Sequence, residues 1–205
     1  MLSRRLGYMH LDTGAMYRAV ALAALREHIP YDDEHSLDGL CKRIRIELIP
    51  KPDGNQVLLD GEDVTDEIRL PELSMGSSAV SALPGVRRHM VRMQQEMGRN
   101  GAVVAEGRDM GTVVFPGTKA KFYLDAAPEE RARRRWLELK ESGVMEEVEK
   151  VLRDIRRRDQ NDASRQHSPL RKADDAIYVD TTDKTAGEVT EILAERVLEL
   201  ERQDV

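Results

Sequence analysis

The chain has 205 residues, of which 38 are acidic and 32 basic, giving a formal net charge of −6. That length suits one sizeable α/β domain with a small insert, and the acidic balance disfavours DNA or an anionic membrane as partner, so phosphate chemistry must depend on local arginine clusters. No run of about 18 apolar residues offers a membrane span, and the first residues lack the features of a signal peptide, so the expected location is the cytoplasm.

In chain order, a short apolar run with strand character covers Tyr8 to Leu11, and helical periodicity follows from Ala15 to Glu27. Ile44 to Ile49 then alternates apolar and polar residues, Pro-Asp-Gly-Asn stands at 52–55, and Val57 to Leu59 resumes the alternation. This spacing predicts a hairpin with its turn at Asp53-Gly54, and Asp-Gly at 60–61 suggests a second turn into a third short strand at Val64 to Ile68. Beyond it, helices are expected over Val86 to Met97, Pro128 to Glu141, Met145 to Arg158 and Ala186 to Glu201. Strands are expected at Ala102 to Ala105, Lys121 to Leu124 and Ala176 to Val179. Strands alternating with helices read as α/β with a parallel sheet and flanking helices, interrupted by a small antiparallel insert at 40–75. Cys41 is the only cysteine and reads as packing; the five histidines are scattered and offer no metal-ligand spacing.

Three stretches carry candidate chemistry. At 11–18, Leu-Asp-Thr-Gly-Ala-Met-Tyr-Arg ends a strand and starts a helix, with Thr13 placed as its N-cap and Arg18 one turn up. The first turn offers free N–H groups to an anion, and a guanidinium there can grip a phosphate with two bonds. An ordinary capped helix with a surface arginine fits the same spacing. At 105–116 a strand runs into a Gly-flanked Arg108-Asp109 pair, which is either a self-satisfied turn or charge placed where α/β sheets bind ligands. The third stretch holds Arg131, Arg133, Arg134 and Arg135, then Arg153 to Arg158 with Asp159, Asp162 and Arg165. Such runs are solvated faces by default, with nearby acids to pair them, unless the two helices fold over a common anion about the Glu141-Ser142-Gly143 turn.

Taken together, LDTGAMYR at 11–18, EGRDMGTVVFP at 106–116, FYLDAAPEERARRR at 122–135 and RRDQNDASRQHSPL at 157–170 resemble bacterial cytidylate kinase, a P-loop nucleoside monophosphate kinase family. LDGEDVTDEIR at 59–69 resembles that group's enlarged monophosphate-binding insert. The resemblance covers essentially the whole chain, and it implies transfer of the terminal phosphoryl group of ATP to CMP or dCMP with Mg2+. It further implies a single kinase domain with core 1–39, 76–133 and 166–205, insert 40–75 and mobile lid 134–165, acting as a monomer without nucleic-acid or membrane partners. By the same resemblance Thr13, Gly14, Tyr17 and Arg18 hold the acceptor, Ser78 lies near its base or sugar, Arg108 and Arg165 contact it, and Asp162 and Arg158 read the ribose. Arg131, Arg134 and Arg135 would face the ATP phosphates, and Asp12 would hold a magnesium-bound water or merely cap its turn.

In that family a first strand and a Gly-rich loop ending in Gly-Lys-Ser/Thr precede these motifs, and the 205 residues contain no such loop. Met1 to Leu6 reads as the tail of the helix that follows it. The expectation is therefore a sheet open between the strands at 102–105 and 121–124, and an isolated chain that is unstable or has the gap filled. The leading function is an ATP-dependent CMP/dCMP kinase. A non-catalytic CMP-binding paralogue is the rival, and an RNA-binding or interaction module on the arginine helices is a third.

Overall fold

The computed structural model describes residues 1–51, 54–141, 143–165 and 168–203. A short helix α1 (Leu2–Leu6) closes on Gly7 in the left-handed conformation and leads into β1 (Met9–Asp12). Asp12, not Thr13, is the N-cap of α2 (Thr13–Arg26): its carboxylate accepts from Ala15 N at 2.9 Å. Thr13 already sits in the first turn, where its Oγ1 donates to the Glu106 carbonyl at 2.6 Å and ties α2 to the neighbouring strand. α2 is rich in alanine and buried from Ala19 through Ala24, so other elements approach it from all sides.

The capped helix α3 (Glu34–Arg43) precedes the antiparallel sheet of β2 (Ile46–Lys51), β3 (Gly54–Leu59) and β4 (Glu62–Asp63). The register runs from Ile46 opposite Leu59 to Lys51 opposite Gly54. Of the expected Asp53-Gly54 turn, Asp53 lies outside the described residues. Asp60 and Gly61 both have positive φ, the combination a two-residue hairpin turn requires. The third strand is two residues long and ends before Val64. A 3-10 turn at Glu67–Arg69 replaces the expected strand at 64–68, because Asp63 accepts from both N and Oγ1 of Thr65 and bends the chain, letting Val64 and Ile68 bury together one turn apart. Val57, Leu59, Val64 and Ile68 belong to the same apolar core as α2 and α3, and Arg26 of α2 bridges Glu62 and Glu67. The insert is thereby seated on the core.

α4 (Pro71–Val80) and α5 (Pro84–Met97) each begin on proline, which suits the first helical position. β5 (Val103–Glu106) pairs in parallel with β1, Met9 opposite Val103 through Asp12 opposite Glu106. A π-helical turn at Met110–Val114 follows. β6 (Phe122–Asp125) leads to α6 (Pro128–Glu141) and α7 (Val148–Ala163). β7 (Ile177–Asp180) pairs in parallel with β6, and a Thr185/Glu188 capping box starts α8 (Ala186–Arg202). The parallel β-structure thus consists of two pairs, and among the described residues no ladder joins them.

α6 and α7 carry a separate apolar cluster of Ala132, Leu139 and Val151, with Trp136, Val144, Leu152 and Ile155 around it. Gly143 turns between them with φ of 78°, while Ser142 lies outside the described residues. Arg131 bonds Asp159 at 2.6 Å and Arg156 bonds Glu129 at 2.6 Å, so the two helices form a hairpin with its own core and its own ion pairs. The helix α7 runs past the expected end at Arg158 to Ala163, which puts Arg158 and Asp162 on the same face. Among the described residues no helix is long and apolar enough to cross a membrane.

Candidate active site

The site is built where β1 and β5 end, the edge at which open α/β sheets take ligands. Two glycines leave room there. A Cβ on Gly107 would stand 2.5 Å from Thr13 Oγ1, and one on Gly14 would crowd the Asp12 carboxylate at 3.2 Å. These glycines let the turn after β5 close on the first turn of α2.

Asp162 is the hub. It is 1% exposed, accepts from Arg108 Nε at 3.0 Å and Ser78 Oγ at 3.4 Å, and pairs with Arg165 at 2.5 Å and Arg158 Nε at 3.9 Å. Arg165 also donates to the Ser78 carbonyl and hydroxyl at 3.1 and 3.0 Å. One carboxylate therefore gathers three guanidiniums and a helix α4 hydroxyl from four places in the sequence. Burial, then the nearby charge of Arg108, pulls Arg158 down to about 10, and its Nε is buried without a hydrogen-bond partner among the described residues. Burial likewise lowers Arg165. Positive charge in excess of one buried carboxylate is electrostatically unsatisfied, and a second anion would relieve it.

Arg18 stands one turn into α2 with its Nε buried and unpartnered among the described residues. Burial lowers it, Asp12 and Glu106 oppose that, and Arg135 and Arg69 reinforce it. The charges of Arg69 and Arg135 thus act on Arg18, and those of Arg108, Arg18 and Arg165 act on Arg158, a local concentration of positive charge in an acidic protein.

Arg108 and Asp109 do not satisfy each other. Arg108 turns to Asp162, while Asp109 is buried and paired with Arg87 of α5, whose other nitrogen donates to Ser81 O at 2.9 Å. The Arg87 guanidinium lies 5.8 Å from the Tyr17 ring centroid. Burial pushes Tyr17 up to about 12, so the phenol stays protonated. Arg87 was not among the sequence candidates, although a signal existed: it stands on the apolar stripe of α5 beside Val86 and Met90, where a charge demands a partner.

Of the four arginines of α6, the three that the resemblance assigns to the ATP phosphates separate clearly. Arg134 is consumed by structure, donating to the carbonyls of Thr181, Thr182 and Lys184 at 2.6, 3.2 and 3.3 Å and to Glu130 at 2.8 Å. Arg131 donates to Ala126 O and Asp159. Arg135 reaches Glu138 at 3.0 Å and lies within the field of Arg18.

At the strand ends Asp12 and Glu106 are register partners, and Glu106 contacts His10 Nε2 at 3.4 Å. That contact raises His10 and lowers Glu106. Among the described residues no group of three or more His, Cys, Asp or Glu forms a ready metal cage.

A family model described as Cytidylate kinase matches residues 1–199. The cytidylate kinase of Syntrophotalea carbinolica is 47% identical over 199 residues, 95% of this chain and 85% of its own. That of Geobacter sulfurreducens is 47% identical over 202 residues, 98% and 87%, and that of Bacillus velezensis 44% over 203 residues, 99% and 89%. With the arginine cluster built at the strand ends and identity of this order along nearly all of its length, the chain belongs to the cytidylate kinase family, transferases that phosphorylate CMP.

Proposed function

We propose that this protein binds CMP or dCMP on the Asp162 cluster and transfers to it the terminal phosphoryl group of ATP. The observation that carries the reading is the convergence of Arg108, Arg158 and Arg165 on one buried carboxylate beside Ser78. Phosphoryl transfer needs alignment and neutralisation of spreading charge more than covalent chemistry, and guanidiniums in a dry site supply both. In this reading Asp162 and Arg158 meet the sugar, and Arg108, Arg165 and Ser78 meet the acceptor's base and phosphate. Thr13, Gly14, Tyr17 and Arg18 line the acceptor from α2, with Arg87 and Asp109 behind Tyr17.

Of the α6 arginines, Arg135 is the one assigned to the transferring phosphoryl group. It shares a field with Arg18, whereas Arg134 is spent on the backbone after β7. Arg131 holds α7 through Asp159 and joins the donor phosphates when the lid moves. Residues 134–165 act as that lid, a role supported by the separate apolar cluster of α6 and α7. Closure excludes water, which would otherwise compete as acceptor.

Mg2+ is typically held by one or two carboxylates together with substrate phosphates, and Asp12 and Glu106, side by side at the strand ends, fit that donor set. When bound with the nucleotide, the ion would neutralise charge on the donor phosphates. The donor side also needs an N–H cradle and a lysine of the Gly-Lys-Ser/Thr kind, a sequence motif that does not occur in these 205 residues. A further parallel strand seated between β5 and β6 and running into such a loop would join the two pairs into one sheet. The protein would act as a cytoplasmic monomer.

A coupled assay with CMP, ATP and Mg2+ tests the activity. ADP release dependent on CMP supports it. CMP bound without turnover leaves this chain with the acceptor half alone, and RNA binding that survives excess CMP would replace the reading.

A further inference from the structure

The buried stripe of α5 consists of Val86, Arg87, Met90 and Gln94, with Gly85 at its start. The valine and methionine need no polar partner, and Arg87 has Asp109 and Ser81 O. Gln94 is 0% exposed, yet neither its Nε2 nor its Oε1 has a hydrogen-bond partner among the described residues. Buried polar groups in folded proteins are almost always satisfied, so an exception calls for a reason.

Its neighbour is another exception. The Tyr17 hydroxyl is also buried and unpartnered among the described residues, and Gln94 opposes the rise that burial gives the phenol. Two turns earlier on the same stripe, Arg87 lies over the Tyr17 ring. The helix α5 therefore carries a guanidinium over the Tyr17 ring and, two turns on along the same buried stripe, an unpartnered amide. The terminal torsion of glutamine is soft, so turning the amide towards the phenol oxygen costs little.

We propose that Gln94 is a positioning residue: by donating from Nε2 to Tyr17 Oη it locks the Tyr17 ring, with the Arg87 guanidinium behind it, at the wall of the acceptor site. Gln94 touches no substrate. The proposal rests on the acceptor-site reading above, because the quantity it controls is affinity for CMP.

The test is a double-substitution cycle of Gln94→Met and Tyr17→Phe, read by calorimetric CMP titration and by thermal melting. Methionine keeps the volume at 94, and phenylalanine removes one oxygen at 17. Each single substitution is expected to weaken CMP about tenfold, the scale of one buried hydrogen bond, and the double no further than the weaker single. A lowered melting midpoint with CMP affinity within about twofold of wild type would mean packing alone and overturn the proposal. Additive losses would overturn it as well. If Gln94→Met does not fold, Tyr17→Phe decides alone, and wild-type affinity in that variant overturns it. Wild-type protein that binds no CMP would instead refute the acceptor-site reading; the Gln94–Tyr17 coupling is then read from the melting midpoints, where additivity overturns it.

Discussion

Replacing Asp162 by Asn removes the one charge that holds three arginines while keeping the shape of the side chain. The amide nitrogen would then face guanidinium donors, and Arg165, 9% exposed, and Arg158 would be left without their counter-ion. Breaking a buried pair by deleting one partner costs about 3–5 kcal/mol, and the retained amide oxygen argues for the lower end, ~3 kcal/mol. For a chain of this size that corresponds to a melting midpoint lowered by about 6–12 °C. The control is Asp159→Asn, whose pair with Arg131 is partly exposed and should cost under about 1 kcal/mol. Far-UV circular dichroism melts of both variants and wild type make the measurement, with and without CMP. Added CMP should recover part of the Asp162→Asn loss through its phosphate charge, despite a missing sugar contact. A midpoint within about 2 °C of wild type would refute the claim that this carboxylate is the electrostatic centre of the site.

Arg134→Met should lower the melting midpoint, because it strips the partner from three carbonyls after β7, while Arg135→Met should leave the midpoint near wild type and lower the rate of phosphoryl transfer. Equal effects of the two substitutions on melting would contradict the division of labour along α6. The His10–Glu106 contact predicts a pH window. His10 is raised above its ordinary 6.5, so its contribution is full below that value and fades as pH rises through the raised one. Glu106 is lowered below its ordinary 4.5, so its contribution is full above that value and is lost as pH falls through the lowered one. Stability from this pair should therefore be greatest at pH 4.5–6.5, and His10→Gln should flatten the wild-type pH profile of urea unfolding there.

The four parallel strands were legible in the sequence, each displaced by one residue. Apolar runs ended at Leu11, Ala105, Leu124 and Val179, whereas the strands end on Asp12, Glu106, Asp125 and Asp180. The reason is chemical: Asp12 accepts from Ala15 N, Asp125 from Ala126 N and Asp180 from Thr182 N, so these acids terminate their strands by capping the turns that follow. Hydrophobic pattern reports burial and is silent about such acceptors. The helices α3 and α4 went unread for a related reason. α3 carries Leu37, Leu40 and Cys41 among charged residues within a short span, and α4 is a run of small side chains whose signal was its leading Pro71.

At the site, the resemblance named Arg18, Ser78, Arg108, Arg158, Asp162 and Arg165, and the fold brings Ser78 and the last three arginines onto the Asp162 carboxylate. Sequence could not choose among Arg131, Arg134 and Arg135, because their spacing on one helix says nothing of the Thr181–Lys184 carbonyls waiting across the chain for one of them. Nor could it split Arg108 from Asp109, whose true partners lie 54 and 22 residues away.

The most direct measurement is a calorimetric titration of the purified chain with CMP, alongside UMP and AMP. The account predicts one CMP per chain, bound more tightly than either competitor and weakened by Arg165→Met and Asp162→Asn. An absence of CMP binding, or binding indifferent to both substitutions, would contradict it.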